Sequence, residues 1–256
     1  SYGSRQLPPG GGELQFRGVT VRAGGEPVLA DLHLVVPAGA LVAVIGRSGS
    51  GKSLLAGLAG RLADPDEGTV LLDGVPLPEL DRGALRSAVG YGFERPVLLG
   101  DTLDDVIEFG PTRVGSADVR RAARAACADV FISRLPSGYR TPLADAPMSG
   151  GEVQRVGLAR AFARAGRVLV LDDVAASLDT VTEHHIDAVL TGQLRDRTRL
   201  IVAHRASTAS RADVVVWLNG GAVRAVGPHH ELWHHADYRA VFEPDPAVIP
   251  AGSEAG

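Results

Sequence analysis

The residues best suited to chemistry form a glycine-rich segment between an apolar run at 41–46 and a helical pattern at 53–63. They match the pattern G-x-x-x-x-G-K-S, in which glycines let backbone N–H groups turn toward phosphate oxygens at the start of a helix. The charge of Lys52 suits the β- and γ-phosphates of a nucleotide, and the Ser53 hydroxyl suits Mg²⁺. The predicted phosphate-binding residues are Gly46, Arg47, Ser48, Gly49, Ser50, Gly51, Lys52 and Ser53.

Two carboxylates follow the buried apolar strand that we predict at 168–171. An acid at the carboxyl end of a core strand, beside a phosphate-binding loop, can hold the hydration shell of Mg²⁺, and Asp172 has this place. Asp173, the next residue, is a candidate to orient or deprotonate a water that attacks a phosphate. Together with the glycine-rich loop, the pair predicts hydrolysis of a bound nucleotide.

The elements that position these residues alternate along the chain. Apolar runs that predict strands lie at 13–21, 28–36, 41–46, 69–74, 89–93, 167–173 and 199–204, and helical patterns lie at 53–63, 116–134 and 150–165. Strands interleaved with helices predict an α/β protein with a largely parallel sheet. We predict a linker or expression remnant at 1–12, a folded domain at 13–243 whose helical part spans about 100–165, and a flexible tail at 244–256.

The composition argues against several classes of protein. The 256 residues carry a net charge of -4, which argues against a broadly basic surface for nucleic acid. The single cysteine excludes an intramolecular disulfide framework. The longest apolar stretch, at 32–46, is interrupted by Pro37 and is too short to span a bilayer. Lys52 is the only lysine among the 26 lysines and arginines, so lysine is kept only inside the glycine-rich segment.

Three further motifs resemble those of ATP-binding-cassette (ABC) ATPases. Residues 148–152, MSGGE, resemble the family's LSGGQ signature, and Ser149 follows Lys52 by 97 residues. Residues 176–179, ASLD, resemble the D-loop, and residues 201–205, IVAHR, resemble the strand that carries the family's switch histidine. The resemblance covers about residues 13–243. It assigns to the signature Ser149, Gly150, Gly151 and Glu152, to the D-loop Asp179, and to the switch position His204.

This resemblance implies a fold, a substrate and partners. The fold is a P-loop NTPase with a mostly parallel core sheet, an N-terminal antiparallel β subdomain and a helical signature subdomain. In the family, two such domains hold two ATP molecules head-to-tail with Mg²⁺, and the signature contacts the ATP of the partner domain. Segments 94–110 and 135–152 resemble exporters. For these, the resemblance implies a transmembrane domain on the same full-length chain and a place at the cytoplasmic face of the membrane.

Three positions depart from the exporter pattern, and all three flank the nucleotide of this chain's own phosphate loop. Ala23 aligns with the adenine-stacking tyrosine, so Arg22 beside it is the candidate base contact. Glu94 replaces the Q-loop glutamine, which contacts Mg²⁺ and the attacking water. Asp173 stands in the place of the catalytic glutamate. Because Ser149, Gly150, Gly151 and His204 are intact, the pattern resembles the degenerate half of a heterodimeric exporter. The alternative is an ordinary homodimeric cassette in which the aspartate works as the base.

Two other functions compete with an export ATPase. One is a soluble ABC-type ATPase, although 97 residues between Lys52 and Ser149 leave no room for the long coiled coil of chromosome-maintenance cassettes. The tandem cassettes and basic linker of translation-factor ATPases are also missing from this sequence. The other is a nucleotide-binding regulator that never turns over. A measurement of steady-state ATP hydrolysis, with and without a partner cassette, separates these alternatives.

Overall fold

The computed structural model describes residues 1–174 and 178–243. The strands are β1 (Leu14–Ala23), β2 (Glu26–Val36), β3 (Leu41–Ile45), β4 (Glu67–Leu72), β5 (Val75–Pro76), β6 (Val89–Phe93), β7 (Val168–Asp172), β8 (Thr198–Val202), β9 (Val214–Asn219) and β10 (Ala222–Gly227). The helices are α1 (Lys52–Leu58), α2 (Arg82–Ala88), α3 (Leu103–Glu108), α4 (Ser116–Ala125), α5 (Asp129–Ile132), α6 (Gly150–Ala163), α7 (Thr180–Thr191), α8 (Ala206–Ala209), α9 (His229–Leu232) and α10 (Ala236–Arg239).

A six-stranded sheet in the order β10-β9-β3-β8-β7-β6 forms the centre of the domain. Its pairings are parallel except for the antiparallel β9–β10 hairpin. Side chains of β3 alternate between the two faces, so that Leu41 and Ile45 lie in one hydrophobic core and Val42 and Val44 in the other. A strand buried on both faces needs a continuous apolar sequence, which β3 and β7 have. The predicted α/β fold with a mostly parallel core sheet is confirmed.

A second, antiparallel sheet has the order β2-β1-β4-β5. Alternate residues of β1, including Leu14 and Phe16, are buried in the same core as Val42 and Val44. The β1–β2 turn contains Gly24 and Gly25, both with positive φ. Glycine adopts this backbone conformation readily because it has no Cβ. This sheet is the N-terminal β subdomain that the family resemblance implies.

The residues before β1 lie along the segment that follows β5. The backbone N–H of Gly3 donates to the carbonyl of Pro78 at 2.8 Å, and that of Arg5 donates to the carbonyl of Glu79 at 3.0 Å. The N–H of Asp81 donates in turn to the carbonyl of Arg5. The division of the chain at residue 13 stays a prediction. The predicted tail at 244–256 lies outside the described residues.

The helical part packs α3, α4 and α6 against one another on one side of the central sheet. The single helix predicted at 116–134 is divided, because Cys127 has a φ of 56° and ends the α-helical hydrogen-bond pattern between α4 and α5. Similarly, α1 ends at Leu58 and not at 63, since the chain turns at Arg61, which has a φ of 58°. Among the described residues, no helix combines the length and the apolar character needed to cross a bilayer.

Candidate active site

The glycine-rich segment connects the buried strand β3 to the N-terminus of α1. Gly51, immediately before α1, has a φ of 92°, and a Cβ at this position would approach Leu29 Cδ2 to 2.5 Å. Glycine is therefore required here for both the backbone conformation and the close packing of β2. The loop ends at the N-terminus of α1, the positive end of the helix dipole, where an anion is favoured.

Lys52 lies at the first position of α1 and is only 6% exposed. Its Nζ donates hydrogen bonds to the carbonyl oxygens of Gly46, at 2.8 Å, and Arg47, at 2.9 Å. Burial lowers the pKa of Lys52, and the charges of Asp173 and Asp172 oppose that decrease. The ammonium group is thus held across the loop, next to both carboxylates of the site.

Ser50 supplies a polar group that the protein itself leaves unused. The residue is 5% exposed, and its Oγ has no hydrogen-bond partner among the residues that the structure describes. A buried hydroxyl without a partner costs free energy unless a ligand or water pairs with it. The unpaired hydroxyl in the glycine-rich loop fits an anionic, oxygen-rich ligand such as a triphosphate.

Ser53 and Asp172 are brought together from distant parts of the chain. The Ser53 Oγ donates to Asp172 Oδ1 at 2.9 Å, because α1 and the carboxyl end of β7 meet at the same edge of the sheet. Burial raises the pKa of Asp172, and the hydrogen bond from Ser53 partly offsets that increase. A hydroxyl and a carboxylate beside one another are the hard oxygen donors that Mg²⁺ prefers. The donor set therefore fits this metal.

Asp173 follows the end of β7 and faces His204. Its Oδ2 lies 3.4 Å from His204 Nε2, and its φ is 54°, in the left-handed region that few non-glycine residues adopt. Asp173 and His204 together line a small cavity of about 170 Å³ beside the end of β8. The two side chains that the sequence assigned to catalysis at this edge of the sheet are therefore neighbours.

Glu94 lies directly after β6, with its backbone against β7. Its N–H donates to the carbonyl of Asp172 at 3.1 Å, whereas its carboxylate lies 3.9 Å from Arg95 Nε. Within residues 1–174 and 178–243, the Glu94 side chain makes no hydrogen bond to Ser53 or Asp172. The structure thus brings the Glu94 backbone to the site, and the predicted metal contact of its carboxylate stays a prediction.

Arg22 lies near the β1–β2 turn, where its side chain is held by acidic residues of the same subdomain. The Arg22 guanidinium pairs with Glu67 at 3.0 Å, and its backbone N–H donates to Asp66 Oδ2 at 2.7 Å. A planar guanidinium fixed by a carboxylate can present its face to a base. The predicted adenine contact of Arg22 stays a prediction.

The signature residues form the N-terminus of α6. Ser149 is the N-cap, and its Oγ accepts from the N–H of Glu152 at 3.3 Å, while the Glu152 carboxylate accepts from the N–H of Ser149 at 2.8 Å. Asp179 similarly caps α7 by accepting from the N–H of Thr182 at 2.9 Å. The D-loop residues Ala176 and Ser177 lie outside the described residues.

Gln154 connects α6 to the segment that carries Asp173, a contact that the sequence alone did not reveal. It is 2% exposed, and its Nε2 donates to the carbonyl of Val174 at 2.8 Å. Val174 is the neighbour of Asp173, so α6 and the candidate general base are joined through one buried amide. The signal in the sequence was a polar residue on the buried face of a helix, where it needs a partner.

Tyr91 makes a second contact that the sequence analysis did not predict. Its hydroxyl donates to the carbonyl of Ala56 in α1 at 2.9 Å, and its ring stacks on Phe93 with a centroid separation of 5.5 Å. Burial raises the pKa of Tyr91, so the phenol stays protonated and able to donate. The residue ties β6 to the helix that carries Lys52 and Ser53.

Tyr91 and Phe93 also line an apolar groove of about 790 Å³. Its wall includes the exposed side chains of Val97, Leu99 and Phe109. The charged residues that line it are all arginines: Arg82, Arg86, Arg95, Arg160 and Arg164. The groove is therefore apolar at its surface and positively charged at its margin.

Comparison with known proteins places the chain in a family. The family model described as ABC transporter matches residues 29–176, which is more than half of the chain. The chain is 60% identical over 242 residues to the ABC transporter ATP-binding protein RamA of Streptomyces coelicolor, covering 94% of this chain and 38% of that protein. It is 37% identical over 238 residues to the ATP-dependent lipid A-core flippase of Escherichia coli K12, covering 91% of this chain and 41% of that protein.

The fold comparison agrees. The structure of a bacterial Atm1-family ABC exporter with ATP bound matches with a TM-score of 0.86 and 33% identity, covering 93% of this chain and 43% of that one. The chain spans about two fifths of the length of the relatives RamA and the lipid A-core flippase. The chain belongs to the ABC transporter family and is an ABC-type ATPase domain similar to those of exporters.

Proposed function

We propose that this chain binds and hydrolyses ATP to power export of a substrate across a membrane, through ATP-driven head-to-tail dimerisation with a second ABC ATPase domain. One observation carries the proposal: the buried Lys52, the Ser53–Asp172 pair and the Asp173–His204 pair converge on one edge of the sheet. Positive charge, metal ligands and a candidate base are then within reach of one triphosphate.

Each residue has a distinct task in this proposal. Ser53 and Asp172 hold Mg²⁺, with Glu94 as a further candidate ligand, and the metal supplies positive charge to the triphosphate when it is bound. Lys52 balances charge on the β- and γ-phosphates. Asp173 orients the attacking water and accepts its proton, and His204 holds Asp173 and the terminal phosphate in place.

The site of this chain is proposed to be slow. Asp173 has one methylene fewer than the usual glutamate, and its side chain lies against His204. Glu94 adds a second acid near the same water, at a position where the exporter pattern has a neutral glutamine. The α6 N-terminus with Ser149, Gly150 and Gly151 is complete, so this chain can still serve the nucleotide of a partner. It is therefore proposed as the degenerate half of a heterodimeric exporter.

The proposed membrane partner is a transmembrane domain on the same full-length chain, and the apolar groove is its docking place. Val97, Leu99 and Phe109 offer apolar contacts, and the surrounding arginines favour a segment that carries acidic side chains. Tyr91 lines the groove and donates a hydrogen bond to α1, the helix that carries Lys52 and Ser53. A segment of the transmembrane domain bound in the groove would therefore contact a residue that itself contacts α1. The ATPase domain would then work at the cytoplasmic face of the membrane, without nucleic acid as a partner.

A mixing experiment tests the proposal and its alternatives. ATP hydrolysis is measured for this chain alone, for a candidate partner cassette alone, and for the two together. We expect slow hydrolysis alone and stimulation on mixing. Lys52→Ala in this chain should leave much of that stimulation, because the partner's site carries turnover, whereas Ser149→Ala should remove it. Absence of hydrolysis in every mixture would favour the regulator, and full activity without a partner would indicate an ordinary homodimeric exporter cassette or a soluble ATPase.

A further inference from the structure

The N-terminus of α6 is already in contact with a carboxylate of the same helix, that of Glu152. A single carboxylate oxygen, Glu152 Oε2, accepts both from the backbone N–H of Ser149 and from its hydroxyl, each at 2.8 Å. A serine hydroxyl has one proton to donate. While this contact stands, the Ser149 hydroxyl proton is directed at Glu152 and not at any ligand.

The Glu152 carboxylate is also charged and well placed to remain there. It lies in the first turn of α6, where the helix dipole favours negative charge. The hydrogen bonds from Ser149 hold the pKa of Glu152 below its ordinary value, so the carboxyl is ionised at neutral pH. An incoming phosphate therefore meets like charge and a hydroxyl that is already engaged.

The approach to this helix end is otherwise open. A Cβ built on Gly150 or on Gly151 would meet no atom within 4 Å. Steric crowding from the described residues therefore does not keep a phosphate away from the α6 N-terminus. The feature of this end that opposes a phosphate is the Glu152 carboxylate.

We propose that Glu152 is an internal competitor that sets how tightly this signature takes the terminal phosphate of the opposing domain's ATP. This inference rests on the proposed head-to-tail function. Closure requires the Ser149 hydroxyl to turn from Glu152 to a phosphate oxygen and the carboxylate to move away from the helix axis. Glu152 is thus a positioning residue that raises the ATP concentration needed for closure.

Two substitutions separate its charge from its capping role. Glu152→Gln keeps an acceptor for the Ser149 N–H, since glutamine serves equally in a capping box, but removes the charge. Glu152→Ala removes both. Without nucleotide, the thermal midpoint of Glu152→Gln should stay close to wild type, and that of Glu152→Ala should fall because α6 loses part of its cap.

Sedimentation velocity with increasing Mg-ATP measures the dimer fraction for wild type, Glu152→Gln, Glu152→Ala and Ser149→Ala, each alone and mixed with a candidate partner cassette. We expect Glu152→Gln to lower the ATP concentration for half-maximal dimerisation roughly five- to ten-fold, as relief of one like-charge contact allows. Ser149→Ala should raise it. Dimerisation of wild type and Glu152→Gln at equal ATP would overturn the competitor role alone. If no variant dimerises, either alone or with the candidate partner cassette, the head-to-tail function is refuted and the competitor role with it.

Discussion

The Ser53 hydroxyl lies 2.9 Å from the Asp172 carboxylate, although 119 positions separate the two residues in the chain. The contact exists because β8 lies between β3 and β7 and is parallel to both strands. The carboxyl ends of β3 and β7 are therefore at the same edge of the sheet, and the residues that follow them meet there. It joins the phosphate-binding helix to the strand that carries the acids. The metal ligands of the proposed site are therefore set by the central sheet itself.

The ionised side chain of Asp172 is expected to lower the free energy of unfolding of the nucleotide-free protein. Its pKa is raised by burial, so the folded state binds protons more tightly than the unfolded state. The free energy of unfolding then falls as pH rises from the ordinary aspartate range through the raised pKa, and the cost is fully present above it. Asp172→Asn should raise the thermal midpoint at neutral pH, and the difference from wild type should shrink in acid.

The matched control for this experiment is Asp196→Asn. Asp196 is exposed, so its substitution should change the free energy of unfolding by no more than about 0.5 kcal/mol. Thermal unfolding at several pH values, without nucleotide, gives both comparisons. A midpoint for Asp172→Asn at or below that of wild type at neutral pH would show that burial does not destabilise the charged carboxylate.

Lys52→Ala should weaken binding of Mg-ATP roughly ten- to hundred-fold, the range expected for loss of a hydrogen bond to a charged group. No other lysine exists in the sequence to replace it. Arg224→Ala is the control, because Arg224 is an exposed arginine on β10, outside the glycine-rich segment. Titration calorimetry measures both variants, and equal affinities for wild type and Lys52→Ala would refute the phosphate role of this lysine.

Ala23→Tyr should strengthen ATP binding about five-fold or more. Stacking of a base on an aromatic ring contributes roughly 1–3 kcal/mol, and Ala23 offers no such surface. The tyrosine lies at the end of β1, beside the Arg22–Glu67 pair. Titration with ATP and with inorganic triphosphate distinguishes base from phosphate contacts: the gain should appear with ATP alone. An equal gain with both ligands, or none, would contradict the proposed base position.

Local sequence was sufficient to predict the glycine-rich loop between β3 and α1, the acids at the end of β7 and the helix that begins after Ser149. In each case the conformation depends on a few neighbouring residues: glycines that permit positive φ, an apolar run that forms a buried strand, or a serine at a helix start. These requirements are visible as residue types at fixed spacing.

Contacts between distant residues were not visible in the same way. Tyr91 reads as one aromatic residue in a strand, and its hydrogen bond to Ala56 depends on how β6 packs against α1. The β9–β10 hairpin was missed, although Gly220 and Gly221 mark its turn. The capping pair at Ser149 was predictable as a pattern. That its geometry engages the hydroxyl proton of Ser149 depends on a side-chain conformation that sequence does not specify.

The slow turnover proposed for this site is tested most directly by the hydrolysis rates of wild type, Asp173→Glu and Asp173→Glu with Glu94→Gln. Displacement of a positioned group by about 1 Å costs on the order of 10²-fold in rate. We expect slow hydrolysis by wild type, a large increase in kcat for Asp173→Glu and a further increase for the double variant. Apparent ATP affinity should change little, since the substituted groups act on the attacking water. If wild type and Asp173→Glu have the same kcat, the aspartate is an adequate base and the degenerate-site account is contradicted.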